Sequence, residues 1–117
     1  MRIKANHGLH WIAAPLEEHP SFIRKKMFGC EMLCLHERQM LVLAAKAEPW
    51  NGLLVCTSRG HHSSLMEEYP ALTPHPVLGK WLYVSQAHAD FEEVAGLIAD
   101  RAVRADRRMG VCSRLKR

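Results

Sequence analysis

The chain has 117 residues, which suits one domain and is too short for two full ones. Hydrophobic residues make up 48% and charged residues 24%, a mixture that excludes a disordered or low-complexity protein. The longest apolar run, 40–45, is far shorter than the roughly 20 residues of a membrane span, and the first residues lack the apolar core of a signal peptide. We therefore expect a single domain over residues 1–117, located in the cytoplasm and not in a membrane.

The N-terminal part of the chain predicts a short helix and a weak strand. Apolar positions within residues 7–18 follow helical spacing, although Pro15 argues against one unbroken helix. Residues 22–28 then read as a weak strand, which Gly29 ends.

The next segment predicts a hairpin. Residues 30–36 alternate two sets of side chains, and residues 37–38 form a polar connection to a strand over 39–45. Both faces of that second strand are apolar, which indicates a central strand covered on both sides. One face of the first strand carries Cys30, Met32, Cys34 and His36, and the other carries Glu31, Leu33 and Leu35.

The middle of the chain predicts a strand, a helix and an extended segment. Residues 53–57 form a short apolar strand after an Asn-Gly turn signal. Ser58 is a suitable N-cap for a helix that Pro70 stops, and the prolines of residues 71–79 require an extended chain.

The C-terminal part predicts the clearest elements. Residues 80–85 form an aromatic, β-branched strand. Asp90 caps a long helix whose apolar stripe continues to Met109, and Gly110 ends it. Because the strands cluster instead of alternating with helices, the chain is predicted to be α+β, with a twisted antiparallel sheet of about five strands flanked by helices and a long C-terminal helix.

Positive charge is concentrated at the C-terminal end. The net charge is +4, yet the final seventeen residues carry seven basic side chains and one acidic side chain, Asp106. A basic segment attracts phosphate backbones by counterion release, and cations also suit the end of a helix dipole. Two interpretations stay open for this end of the chain. One is weak nucleic-acid association through a basic tail at 106–117, and the other is a solvated helix end. The candidate nucleic-acid residues are Arg101, Arg104, Arg107, Arg108, Arg114, Lys116 and Arg117.

A second candidate site surrounds the start of the middle helix. Residues 59–64 read Arg-Gly-His-His-Ser-Ser, so cations and hydroxyls surround free backbone N–H groups that attract anions. A small anionic ligand is one interpretation, and a capped helix start with solvated histidines is the other. The candidate ligand residues are Arg59, His61, His62, Ser63, His75 and Lys80.

The cysteines, histidines and large aromatic residues give weaker signals. Cys34 and His36 share a strand face but lack further ligands at metal-site spacing, so neither a metal nor another cofactor is predicted. Cys56 is a candidate nucleophile if the following helix lowers the pKa of its thiol, and a buried strand cysteine is the alternative. No catalytic residue is predicted. Trp81 and Tyr83 share a face that either lines a groove or a dimer contact, or packs in the core.

Residues 24–29 read Arg-Lys-Lys-Met-Phe-Gly, ahead of a hairpin, a helix, a Thr73-Pro74-His75 loop and an aromatic strand. Over about residues 20–105 this order resembles the N-terminal domain of the TfoX family. The resemblance implies a fold similar to the secretion-chaperone-like and YjbR-like α+β folds. TfoX proteins are associated with the regulation of natural competence, but the family's C-terminal helical domain has no room here, so that role is not implied. What it implies is a stand-alone domain of a kind that is often dimeric. Together with the domain size and the lack of a converging catalytic set in the sequence, this predicts a non-enzymatic binding or regulatory module that forms a homodimer.

Overall fold

The computed structural model describes residues 8–27 and 29–112. The helices are α1 (His10–Glu17), α2 (His62–Glu68) and α3 (Phe91–Val103), and a 3-10 turn at Arg59–His61 leads directly into α2. The strands are β1 (Ile23–Met27), β2 (Cys30–Leu35), β3 (Arg38–Ala45), β4 (Asn51–Val55), β5 (Thr73–Pro74), β6 (Leu82–Ser85) and β7 (Val111–Cys112). The predicted α+β class is confirmed.

All strand pairings are antiparallel, in the order β1-β2-β3-β4-β6-β5, and β7 pairs with the start of β3. The described part of the chain thus forms a sheet of seven strands, so the prediction of about five was too low. The five predicted strands correspond to β1, β2, β3, β4 and β6. β5 and β7 have two residues each, and strands this short produce no alternation that a sequence pattern can reveal.

The sheet buries side chains on both faces. All three helices pack on one face, the helix face, where the largest apolar cluster forms around leucines such as Leu33 and Leu43. Loops cover the opposite face, the loop face, which is built largely from small and sulfur-containing side chains. The predicted alternation along β2 is confirmed, since Leu33 and Leu35 point to the helix face while Cys30 and Cys34 point to the loop face.

A bulge in β3 interrupts the alternation of that strand. Leu33 pairs with Leu41, but Cys34 pairs with Gln39, so Met40 has no opposite residue on β2. Met40 consequently joins Leu41 in the helix-face core. The sequence pattern had placed Met40 with Val42 on the other face, which is wrong because strict alternation leaves no place for an extra residue.

Two turns differ from their predicted positions. The β2–β3 connection is His36–Glu37, not 37–38, and both residues have positive φ values of 54° and 63°, as a tight two-residue hairpin turn requires. α3 ends at Val103, six residues before the predicted end at Met109. Ala105 adopts a φ of 63° there, and its N–H donates to the carbonyl oxygen of Ala102, which closes the last turn.

The predicted cap residues occupy their expected places without forming side-chain caps. Ser58 precedes the 3-10 turn and Asp90 precedes α3, but neither side chain makes a capping hydrogen bond. α1 begins at His10 and includes Pro15, so the proline does not break the helix.

Candidate ligand-binding cleft

An open cleft of about 510 Å³ lies at the loop face of the sheet. The segment 77–81 forms one wall, residues 57–59 form a second, and the ends of β1, β3 and β7 complete the lining. Its volume falls in the range of small-molecule sites. The lining residues are Met27, Gln39, Thr57, Ser58, Arg59, Val77, Leu78, Gly79, Lys80, Trp81, Val111 and Cys112.

Two cations face apolar side chains in this cleft. Arg59 and Lys80 are both exposed, and no carboxylate lines the cleft among the residues that the structure describes. The guanidinium of Arg59 lies over the Gly79 backbone, because a Cβ atom placed on Gly79 would come 3.2 Å from Nη2. Val77, Leu78 and Trp81 contribute apolar surface, and Val77 is 64% exposed. A ligand with an anionic group and an apolar body matches this lining.

His75 anchors the wall segment but does not line the cleft. Its side chain is buried, and Nδ1 accepts hydrogen bonds from the backbone N–H groups of Val77 (3.1 Å) and Leu78 (3.0 Å). Because Nδ1 accepts, Nε2 carries the proton and donates to the carbonyl oxygen of Pro49 at 2.7 Å. The ring also packs 4.4 Å from the Trp50 ring, measured between centroids. We therefore assign His75 a structural role, which differs from its predicted place among the ligand residues.

The other predicted ligand residues separate into two groups. Arg59 and Lys80 both line the cleft, and their role in binding a ligand stays a prediction. His62 acts indirectly, since its Nε2 donates to the carbonyl oxygen of Lys80 at 2.8 Å and ties α2 to the wall. His61 and Ser63 lie on the 3-10 turn and α2, outside the lining.

The sequence analysis missed the far side of the cleft. Gln39, Val111 and Cys112 meet because β7 pairs with β3, with Gln39 opposite Val111. Met27 joins them from the end of β1. These residues are up to 85 positions apart, and no motif in the sequence connects Met27 with Gln39, Val111 or Cys112. The shared face of Trp81 and Tyr83 was the one signal that pointed to this side of the sheet.

The described lining of the cleft includes one hydroxyl that is engaged in a hydrogen bond, that of Thr57, and one exposed thiol, that of Cys112. The Thr57 hydroxyl donates to the carbonyl oxygen of Arg108 and so connects the cleft to the segment after α3. Cys112 is exposed, whereas Cys30, Cys34 and Cys56 are buried. Burial raises the pKa of the Cys56 thiol well above its usual value, so the idea of a thiol activated by the following helix is wrong. Burial also raises the pKa of the Cys30 and Cys34 thiols.

A polar network holds the loop between β3 and β4 against the same face. The carboxylate of Glu48 accepts hydrogen bonds from the Tyr83 hydroxyl (2.6 Å) and from the Ser85 hydroxyl. These two hydrogen bonds lower the pKa of Glu48. Desolvation and the bond to Glu48 raise the pKa of Tyr83 to about 12, so the phenol stays protonated and acts as a donor. The network fixes the loop that supplies the Pro49 carbonyl to His75.

Of the seven predicted nucleic-acid residues, the structure describes four, and three of these pair with carboxylates. Arg101 pairs with Glu68, and Arg104 pairs with Asp100. Arg108 binds both Glu68 and Asp106 at 2.7 Å. Each carboxylate neutralises arginine charge that would otherwise attract the phosphates of a nucleic acid. Arg107 is exposed and lines a second cleft of about 430 Å³, while Arg114, Lys116 and Arg117 lie outside the described residues. Nucleic-acid association stays a prediction.

Comparison with known proteins adds no identity. No protein-family model, no curated protein and no solved structure matches this chain. Within residues 8–27 and 29–112, no group of three or more His, Cys, Asp or Glu side chains is arranged to hold a metal ion. In the same residues, no helix has the length and apolar character of a membrane span. The case for a function therefore rests on the chemistry of the cleft.

Proposed function

We propose that this chain is a non-enzymatic binding module whose ligand is a small amphipathic anion held in the cleft. The observation that supports the proposal is the pairing of Arg59 and Lys80 with apolar walls in a lining whose described residues include no acidic side chain. The resemblance of residues 24–29 to the TfoX N-terminal domain also favours a binding or regulatory role. That resemblance stays a prediction and identifies no ligand.

The apolar walls and the cations contribute differently to binding. Burying about 100 Å² of apolar ligand surface contributes about 2.5 kcal/mol. An ion pair at an exposed site contributes about 0.2–1 kcal/mol. Because Arg59 and Lys80 are both exposed, we expect the apolar body of the ligand to supply most of the affinity. Arg59 and Lys80 would then favour an anionic ligand over a cationic one of similar size.

A role without catalysis is supported by the hydrogen bonds that the polar groups around the cleft already make. The Thr57 hydroxyl and the His62 ring are both engaged with backbone carbonyls. Among the described residues, Cys112 is the one thiol in the lining, and no histidine or carboxylate joins it there as a base. Nucleophilic catalysis needs a base beside the nucleophile, so the described lining favours binding over reaction.

The proposal is tested with 8-anilinonaphthalene-1-sulfonate, an aromatic anion whose fluorescence rises in apolar sites. We expect saturable binding, with Lys80→Gln and Arg59→Gln each weakening it about threefold. Arg104→Gln removes an exposed arginine outside the cleft and serves as the matched control, which should bind like the parent. Equal binding of an aromatic cation of similar size, or equal weakening by the control, would contradict the proposal.

A further inference from the structure

The two edges of the sheet differ in their capacity to accept another strand. β5 has two residues, one of which is Pro74, and short edges that contain proline resist pairing. β1 has five residues and pairs with β2 in an uninterrupted register from Ile23↔Cys34 to Met27↔Cys30. Among the residues that the structure describes, β1 pairs with β2 alone. Because an antiparallel strand directs alternate backbone groups to each side, β1 presents a second set of donors and acceptors outward.

The side chains of this edge combine positive charge with an apolar end. Ile23, Lys25 and Lys26 are all exposed, and Ile23 is 47% exposed. Arg24 differs from the lysines, since its guanidinium binds the carboxylate of Glu17 on α1 and lies 3.4 Å from that of Glu31 on β2. Arg24 therefore fastens β1 to the body of the domain, and the two lysines supply the charge that a partner would meet.

We propose that β1 is a docking edge for an extended acidic segment of another protein, which adds a strand to the sheet. The partner's backbone would pair with the outward groups of β1, its carboxylates would lie beside Lys25 and Lys26, and an apolar residue would cover Ile23. Strand addition of this kind derives affinity from the main chain and specificity from the side chains.

Charge decides between this partner and a second copy of the chain. An antiparallel pair of β1 strands centred on Lys25 would place Lys25 opposite Lys25 and Arg24 opposite Lys26. Like charges directly opposite each other destabilise a strand pair, whereas opposite charges contribute roughly 0.2–1 kcal/mol each. The predicted homodimer thus gains no support from this edge, while an acidic strand gains at two positions.

The test uses the full chain and two labelled, end-blocked peptides, Thr-Val-Glu-Glu-Val-Thr and Thr-Val-Lys-Lys-Val-Thr. We expect the acidic peptide to bind at least about tenfold more tightly, with affinity that falls as salt rises. The double variant Lys25→Glu/Lys26→Glu should reverse that preference. The matched double variant Arg59→Glu/Lys80→Glu makes the same charge change in the cleft. It should leave peptide binding unchanged while weakening the anilinonaphthalene sulfonate, so the two proposals fail separately.

Hydrogen exchange locates the bound peptide. On addition of the acidic peptide, the outward amides of residues 23–27 should exchange about tenfold more slowly, while the amides of the cleft walls at 57–59 and 77–81 keep their rates. The proposal is overturned by no binding up to about 1 mM peptide, by an unchanged preference in the Lys25/Lys26 variant, or by protection confined to another part of the chain. Circular dichroism of both variants confirms that the comparison is made on folded protein.

Discussion

The two faces of the sheet are both buried, yet they are covered in different ways. Three helices pack on the helix face, where leucines from four strands meet α1 and α3. Loops cover the other face, where the core consists of residues such as Cys34, Ala44 and Cys56 and is bordered by partly buried Trp50 and Trp81. A cleft opens beside each face, of about 510 Å³ at the loop face and of about 430 Å³ between β3 and the segment after α3 at the helix face. The second cleft is lined in part by Asp106, whereas the described lining of the first contains no carboxylate. We expect stability to reside mainly in the helix face, and we propose that binding resides in the loop face.

Adjacent residues of β2 give the most direct test of this difference. Leu33 points to the helix face, Met32 points to the loop face, and both are fully buried. We expect Leu33→Ala to lower the free energy of unfolding by about 4 kcal/mol and Met32→Ala by about 2 kcal/mol, because loops relax around a cavity more readily than packed helices. Urea denaturation of both variants measures the difference, and a larger loss for Met32→Ala would reverse the assignment.

Removing the His75 ring should damage both the stability of the loop face and the cleft. His75→Ala leaves the N–H groups of Val77 and Leu78 without their acceptor, which costs about 2 kcal/mol. It should also abolish anilinonaphthalene sulfonate binding, because the wall segment loses its anchor. His75→Asn supplies a side-chain oxygen in place of Nδ1 and should recover part of both. A His75→Ala variant that loses stability but binds the dye normally would show that His75 is not needed for the cleft and would contradict this prediction.

The segment after α3 should respond to acid. Hydrogen bonds and charge from Arg108 lower the pKa of Glu68 and Asp106 below their usual values. A carboxyl group whose pKa is lower in the folded state contributes stability at neutral pH, and this stability is lost as the pH falls through the folded pKa. Arg108→Gln should therefore lower stability at pH 7 by about 1 kcal/mol and flatten the loss between about pH 5 and 3. An equally steep acid limb in the variant would contradict this cause.

The smallest expected effect concerns the end of α3. Ala105 adopts a left-handed conformation with φ of 63°, which favours glycine. Ala105→Gly should stabilise the protein by about 0.5 kcal/mol, because relief of the strain exceeds the extra entropy of the unfolded chain. The matched change Ala14→Gly, at an exposed position within α1, should instead cost about 1 kcal/mol. Thermal unfolding of the two variants should give shifts of opposite sign.

The sequence predicted the regular parts of the fold and grouped Arg59 with Lys80, although it predicted no cleft. Alternation along β2 is visible because every second side chain enters the same core, and Arg59 and Lys80 were found because they lie near one helix start. The bulge at Met40 and the helix end at Ala105 were hidden, since neither residue type marks its unusual backbone. Cys112 was hidden for another reason, because only the pairing of β7 with β3 brings it to the cleft.

Alkylation of Cys112 with iodoacetamide, a small neutral reagent, tests the central claim most directly. Of the four cysteines, Cys112 alone is exposed and lines the cleft. In the native protein we expect one fast-reacting thiol by mass spectrometry, and four after denaturation. Saturating anilinonaphthalene sulfonate should slow the reaction of Cys112 about tenfold or more. The Lys80→Gln variant should need a higher dye concentration for the same protection. Binding of the dye with no change in the rate at Cys112 would show that the ligand lies elsewhere and would contradict the assignment of the cleft.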